Sequence, residues 1–195
     1  MLIKSGFDVA QPVDKVWKFF ENIPAVATCL PGAQLTEDLG DNKYNGTVAI
    51  RMGPVRLQFA GTAQIKEKDD AAKRIVVDAA GAEEKGRGQA SMLVTATLSQ
   101  ARGGTHVEVT QDLQLAGAAA QYGRGMISDV SSVLMRDFGT NMQSRIDAMD
   151  RGVSLDKVGA ATSASAFSIA LRAARMALGR VLRRFFLPYQ PKPSS

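Results

Sequence analysis

The sequence is poor in the residue types that most often carry out chemistry. Its 195 residues include one cysteine, Cys29, and one histidine, His106. A single cysteine excludes a disulfide within the chain, and two such residues are too few for a transition-metal site. We therefore expect no metal site and a reducing compartment, the cytoplasm.

Long apolar runs are scarce as well. The longest uncharged stretch near the C-terminus, residues 158–171, has 14 residues and is rich in alanine and serine. A helix that spans a bilayer needs about 20 mainly apolar residues, so this stretch is too short. The first ten residues carry Asp8 and lack the apolar core of a signal peptide. The sequence thus predicts a cytoplasmic protein without a membrane span.

Acidic residues are nearly missing from one part of the chain. Residues 151–195 contain eight Lys or Arg and one acidic residue, whereas residues 1–150 contain 16 Lys or Arg and 18 Asp or Glu. The net charge of +5 therefore combines a near-neutral domain at −2 with a basic segment at +7. This distribution argues against a basic globule that binds nucleic acid.

Hydrophobic periodicity predicts an α+β fold for residues 1–150. A short strand at 3–10 and two short helical segments come first, and Pro12 is expected to be the first helical residue. Apolar and polar residues then alternate between residues 34 and 116 over about six strands, which is typical of an antiparallel sheet with one apolar face. One long helix follows, which we expect to lie across that face. Its apolar positions are Ile127, Val130, Leu134, Phe138, Met142, Ile146 and Met149.

Several short motifs resemble those of the family of the G subunit of carbon monoxide dehydrogenase. They are residues 12–17 (PVDKVW), 29–32 (CLPG), 44–48 (YNGTV), 53–55 (GPV) and 59–61 (FAG). The resemblance covers about residues 1–150 and implies the helix-grip fold of the START-like (SRPBCC) superfamily, a curved antiparallel sheet around a long C-terminal helix. It also implies a non-catalytic accessory protein of a molybdenum hydroxylase, the aerobic carbon monoxide dehydrogenase type, that helps to bring the enzyme to the membrane.

No residue set in the sequence predicts catalysis. His106 occupies an outward position of its strand, which is typical of a solvated histidine rather than a general base. Cys29 has no histidine nearby to activate it, so we expect a small buried residue. A START-like cyclase or hydratase remains an alternative, and its only candidate polar residues are Tyr44 and Tyr122.

A cavity between the sheet and the long helix is the candidate ligand site. Small residues interrupt the strands, and methionines 92, 126, 135, 142 and 149 offer adaptable surface for an apolar guest. The alternative is that the same side chains fill an ordinary core. The predicted lining consists of Phe20, Leu30, Tyr44, Val48, Ile50, Leu57, Phe59, Met92, Val94, Leu98, Val130 and Leu134.

The identity of the guest follows only from the implied partner enzyme. If that enzyme passes electrons to the respiratory chain, the natural apolar guest is a respiratory quinone, menaquinone or ubiquinone, held without a covalent cofactor. A recruitment adaptor with a filled core and no ligand is the competing hypothesis.

The basic C-terminal segment predicts a membrane-binding helix. Residues 151–166 have the composition of a flexible linker, 167–187 read as a helix, and 188–195 as a disordered end. In a helix with 100° per residue, the apolar side chains of 167–187 would form one stripe, and the arginines would lie on the opposite face. Helices that lie in a membrane interface have this arrangement. The predicted membrane contacts are Phe167, Leu171, Arg172, Arg175, Leu178, Arg180, Leu182, Arg183, Arg184 and Phe185.

Other roles for this helix stay open. It could pack its stripe on the domain, dock into an acidic groove of a partner, or bind nucleic acid, although the stripe lacks the interleaved aromatic side chains of a stacking platform. The favoured prediction is a cytoplasmic protein that is peripheral on the inner face of the cell membrane. Its predicted partners are the carbon monoxide dehydrogenase subunits, an anionic membrane surface and an apolar small molecule, with no nucleic acid.

Overall fold

The computed structural model describes residues 1–52 and 55–152. The elements, in chain order, are β1 (Leu2–Val9), α1 (Val13–Phe20), α2 (Ile23–Ala27), β2 (Ala33–Gly40), β3 (Lys43–Met52), β4 (Val55–Asp69), β5 (Arg74–Glu83), β6 (Gly88–Ala101), β7 (Gly104–Gly117), a 3₁₀ turn (Ala118–Gln121) and α3 (Arg124–Asp150). Residues Met1–Arg151 form one compact unit. The predicted α+β order of elements is confirmed.

The seven strands of the described residues form one antiparallel sheet. Their order is β1-β7-β6-β5-β4-β3-β2, so β2 to β7 form a meander and the first strand adds to the last. Outside the register shifts in β2 and β4, alternate residues of a strand point to the face that α3 covers. In β7, for example, Val107 and Val109 are buried while Glu108 is exposed. The alternation that predicted an apolar inner face is therefore present in the structure.

Local sequence explains where the two short helices begin. Pro12 has φ −58° and ψ 147°, so it precedes α1 as the N-cap and the helix starts at Val13, one residue later than predicted. The side chain of Asn22 accepts a hydrogen bond from the Ala25 N–H at 3.1 Å and caps α2. After α2, Gly32 takes φ +80°, a conformation that favours glycine, and turns the chain into β2.

The helix α3 lies along β1. Its buried residues follow the predicted stripe only in part, since Ser131 and Gly139 are also buried. The stripe residues Val130, Leu134 and Phe138 are half-buried. Met142 and Ile146 are buried, whereas Met149 is 48% exposed and the neighbouring Ala148 is buried instead. The reason is that the last turn packs against the chain after β1, where Gln11 Nε2 donates to Asp147 Oδ1 at 2.9 Å. No helix of the described residues is long and apolar enough to cross a membrane.

Several predictions fall on other parts of the chain. Apart from Arg151 and Gly152, the proposed linker, the basic helix and the C-terminal end lie outside the described residues, and so do all ten predicted membrane contacts. The predicted turn at Gly53 and Pro54 lies outside them too. These assignments stay predictions.

Candidate ligand cavity

A cavity of about 480 Å³ lies between the inner face of the sheet and α3. Strands β2 to β7 form its floor and walls, α2 and α3 border it, and it is partly open to solvent. Its surface is almost wholly apolar. A concave apolar site of a few hundred Å³ with a few placed polar groups is the usual form of a small-molecule site.

Small residues on the inner face create this volume. Gly46, Gly61 and Gly81 lie opposite one another across β3, β4 and β5, and all three line the cavity. A β-carbon at Gly61 would stand 2.0 Å from the carbonyl oxygen of Ala80, so the strands approach too closely there for any other residue. The glycine row therefore leaves bare backbone where side chains would otherwise fill the space.

Eleven of the twelve predicted lining residues do line the cavity. They are Phe20, Leu30, Tyr44, Val48, Ile50, Leu57, Phe59, Met92, Val94, Val130 and Leu134. Leu98 is the exception, and its prediction as a lining residue is wrong. It is 4% exposed and pairs with Val107 near the β6–β7 turn, where α1 covers the sheet and closes the space. Contact of the eleven with a ligand stays a prediction.

The methionines and tyrosines divide between cavity and other places. Met92 and Met135 line the cavity, but Met142 is buried in the core beside it, and Met126 and Met149 are exposed. Five methionines were expected to offer surface to a guest, and the structure leaves two. Tyr44 lines the cavity, whereas Tyr122 packs against the adjoining core cluster. A cyclase mechanism would thus retain one of its two candidate tyrosines.

The sequence reasoning missed six polar lining residues, of which two are buried. Gln111 on β7 and Ser131 on α3 both line the cavity and are 6% and 8% exposed. The hydroxyl of Ser131 donates to Gln111 Oε1 at 2.8 Å. The signal was available, because the inward positions of β7 run Val109, Gln111, Leu113 and place a glutamine among apolar residues.

The cysteine and the histidine occupy structural positions outside the cavity. Cys29 is fully buried and its Sγ donates to the carbonyl oxygen of Ala25 at 3.4 Å. Burial raises the pKa of the Cys29 thiol to about 12, so the nucleophilic thiolate is disfavoured. His106 lies on the outer face, with Nδ1 2.7 Å from Asp8 Oδ1. Both placements confirm the sequence-based expectation for these residues.

Charged groups are kept out of the cavity. Among residues 1–52 and 55–152, none of the lining side chains is charged. Glu83 is buried at the end of β5, but it accepts hydrogen bonds from the side chain of Arg87 and from the backbone N–H groups of Lys85 and Arg87. The Arg87 side-chain bond, with the two backbone bonds, lowers the pKa of Glu83 to about 2. In the same part of the chain, no group of three or more His, Cys, Asp or Glu could hold a metal ion.

A curved seven-stranded antiparallel sheet around a long C-terminal helix, with an apolar cavity between them, defines a helix-grip protein. Within that class, the chain belongs to the CoxG family, the family of the G subunit of carbon monoxide dehydrogenase, whose model matches residues 6–147. The family is that of an accessory subunit associated with carbon monoxide dehydrogenase. Both the family prediction and the fold prediction are therefore confirmed.

Solved structures share this fold at low sequence identity. A conserved protein from Geobacillus kaustophilus is 19% identical with a TM-score of 0.67, over 75% of this chain and 95% of that one. The Zhui aromatase/cyclase from Streptomyces sp. R1128 is 13% identical with a TM-score of 0.56, over 76% and 94%. A START superfamily protein from Mycobacterium smegmatis is 9% identical with a TM-score of 0.54, over 76% and 98%. No curated protein sequence matches the chain.

Proposed function

We propose that this protein is a carrier that holds a respiratory quinone in its cavity and moves it between carbon monoxide dehydrogenase and the inner face of the membrane. Membership of the CoxG family supports the association with the enzyme. The observation that best supports an apolar ligand is the apolar cavity of about 480 Å³. An apolar void of that size destabilises a fold when empty, because its walls lose packing contacts.

The redox chemistry of the partner supports a quinone. Oxidation of carbon monoxide with water yields carbon dioxide, two protons and two electrons, and a quinone that takes up two electrons and two protons becomes a quinol. Respiratory quinones are apolar and live in the bilayer, so a soluble acceptor site must shield them from water. A container with apolar walls would do this.

The charge of the cavity supports a neutral guest. None of the described lining residues is charged, so the carboxylate of a fatty acid would enter without a compensating cation. Burying an unpaired ionised group is strongly unfavourable. A neutral quinone or quinol carries no such penalty, and its two oxidation states differ by hydrogen atoms rather than by net charge.

The basic C-terminal segment supports a membrane step. Five arginines lie within residues 167–187, and near an anionic leaflet each contributes about 1 kcal/mol at most. Burial of the leucines and phenylalanines of the apolar stripe adds to this. The combination suits reversible binding, which a carrier needs and a permanent anchor would prevent.

Organic extraction of the purified full-length chain, followed by mass spectrometry, tests the proposed ligand. Protein from a host that makes menaquinone or ubiquinone is expected to release quinone in near-stoichiometric amount, and a control protein of similar size purified from the same host is not. A cavity that is empty after such expression would overturn the carrier. If deletion of residues 164–195 then still released the enzyme from the membrane, the recruitment adaptor would be the correct function.

A further inference from the structure

The described cavity lining contains two polar side chains that are more than nine-tenths buried, Gln111 and Ser131. Gln111 comes from β7 and Ser131 from the first half of α3, so they meet across the space between sheet and helix. The Ser131 hydroxyl donates to Gln111 Oε1 at 2.8 Å. This bond uses one of the two lone pairs of the amide oxygen and orients the amide group.

The amide nitrogen of Gln111 has no such partner among the described residues. On the inner face its strand neighbours are Ile3 of β1 and Val94 of β6, which offer no side-chain acceptor. Along β7 the next inward residues, Val109 and Leu113, are apolar as well. Among the described residues, two side-chain atoms are fully buried without a hydrogen-bond partner, Ser5 Oγ and Arg87 Nε. Nε2 of Gln111 is not one of them, so this atom retains accessible surface. The amide N–H groups therefore reach the cavity.

We propose that Gln111 is the specificity-determining residue of the cavity and that its amide donates to a carbonyl oxygen of a neutral, elongated, apolar ligand, with Ser131 as the positioning residue. This inference rests on the proposed function and narrows the ligand to carbonyl compounds. A pure hydrocarbon would leave the buried amide unpaired, which is unfavourable. A carboxylate would bring a charge that a neutral amide does not balance.

The glycine row places the rest of the ligand. Gln111 belongs to the row of Ile65, Val77 and Val94, whereas Gly81 lies four residues further along β5 than Val77. Four residues of strand correspond to about 13 Å. A carbonyl-bearing ring at Gln111 thus leaves its apolar chain to run toward the bare backbone of the glycine row, where no side chain obstructs it. An elongated guest uses both features.

Two probes with and without carbonyl groups test this assignment. The full-length protein, stripped of endogenous lipid, is titrated by calorimetry with 2-decyl-1,4-naphthoquinone and with 2-decylnaphthalene, which lacks both carbonyls. We compare wild type with Gln111→Met, which keeps the length of the side chain and removes the amide. We also compare Ser131→Ala with Ser132→Ala, a matched control on the solvent side of the same helix.

The expected result is a change of selectivity. Gln111→Met weakens naphthoquinone binding roughly five- to tenfold, the worth of one neutral hydrogen bond. It does not weaken 2-decylnaphthalene binding and should tighten it, because no buried amide is then left unpaired. Ser131→Ala weakens naphthoquinone binding less, and Ser132→Ala leaves it unchanged. Equal binding of naphthoquinone by wild type and Gln111→Met would overturn the role of Gln111 while the carrier stands. Equal loss of both probes would make Gln111 a packing residue, and failure of wild type to bind either probe would overturn the carrier itself.

Discussion

Gly139 of α3 lies directly against the ring of Phe7 in β1: a β-carbon at Gly139 would stand 2.7 Å from the phenyl Cδ2. The same ring packs edge to face with Phe138, at 5.6 Å between ring centroids. Because Gly139 has no side chain, the helix approaches β1 closely on this side. Its other side, with Val130 and Leu134, faces the cavity. The glycine thus sets the position of one cavity wall.

Replacement of Gly139 by alanine is expected to destabilise the protein. The new methyl group would overlap the ring of Phe7, and overpacking of this kind costs about 1–3 kcal/mol. Gly125→Ala, near the start of the same helix, meets nothing within 4 Å and should be neutral or stabilising by up to about 1 kcal/mol. Urea unfolding of both variants measures the difference. Equal effects of the two substitutions would contradict the close approach of α3 to β1.

Filling the cavity is expected to prevent binding of the proposed quinone without unfolding the protein. Ala63 and Ala79 lie opposite each other on the inner face, so the double replacement by leucine places two larger side chains in the cavity. The amount of quinone that co-purifies should fall about tenfold or more, since close-packed side chains leave no room for a guest. Thermal unfolding should occur at the same temperature as in the empty wild type, or higher, because about 0.8 kcal/mol is gained per buried methylene.

The chain offers a matched control for this experiment. Ala60 and Ala82 lie opposite each other on the outer face of the same two strands, and neither lines the cavity. Their double replacement by leucine should leave the extracted quinone unchanged. Loss of quinone from both double variants would place the ligand elsewhere than in the cavity. Gly61 is not a suitable position for a substitution that narrows the cavity, because a side chain there would collide with the backbone of β5.

The buried Glu83 is expected to make stability depend on pH. Its hydrogen bonds from Arg87 and the backbone lower its pKa to about 2 in the folded chain, against about 4.3 for an unfolded glutamate. A depressed folded pKa means that the ionised form stabilises the protein above the unfolded value, and that this stability is lost as the pH falls through about 2. Glu83→Gln should therefore be less stable than wild type at pH 7, and the gap should narrow toward pH 2.

Urea unfolding of wild type and Glu83→Gln between pH 2 and 7 provides the measurement. Glu84→Gln is the control, because Glu84 is the exposed neighbour and its carboxylate, among the described residues, bonds the side chain of Gln58 and no cation. A gap between wild type and Glu83→Gln that stays constant with pH would show that the charge of Glu83 does not stabilise the fold.

Cys29 is expected to be unreactive in the folded protein. With its pKa raised to about 12, the thiolate fraction at pH 8 is about a thousandfold lower than for an exposed cysteine, and burial blocks access as well. Labelling by iodoacetamide, followed by mass spectrometry, should be slow in buffer and fast in 6 M guanidinium. Rapid labelling of the native protein would contradict the buried placement and would reopen a nucleophilic role.

The basic segment is expected to bind anionic membranes reversibly. Replacement of Arg172, Arg180 and Arg183 by glutamine should weaken binding of the full chain to vesicles with 30% phosphatidylserine about a hundredfold, at about 1 kcal/mol per arginine. Sedimentation with these vesicles and with neutral phosphatidylcholine vesicles checks this. The same change at Arg56, Arg102 and Arg136, which are exposed on the domain, is the control. Equal losses from both sets would indicate a non-specific charge effect.

Much of the fold could be predicted because each element carries its own pattern. Two examples are the alternation from Tyr44 to Ile50 and the three-to-four spacing from Ile127 to Ile146. Each pattern lies within a single segment, so the inner face of that segment can be predicted without knowledge of the neighbouring elements. Eleven lining residues were predicted in this way. The short motifs around Pro12 and Cys29 identified the family for the same reason, since they are local.

The misses share a different cause. Leu98 and Met149 lie on the correct faces of β6 and α3, but what covers those faces is decided by α1 and by the chain after β1. The alternation of β7 likewise places Gln111 inward without telling which residue it meets. A pattern within one element predicts the direction in which a side chain points. The residues that this side chain contacts also depend on where the other elements end.

The amino-acid sequence by itself determined the order of elements, the apolar face of each, the division of charge at about residue 150 and the family. Tertiary structure alone decided that Gly46, Gly61 and Gly81 align into one row and that Ser131 reaches Gln111. It also decided that a cavity of about 480 Å³ remains between sheet and helix. The physical reason is that volume and hydrogen-bond pairing arise between segments distant in the chain, and the distance between segments is set by packing rather than by the periodicity of either one.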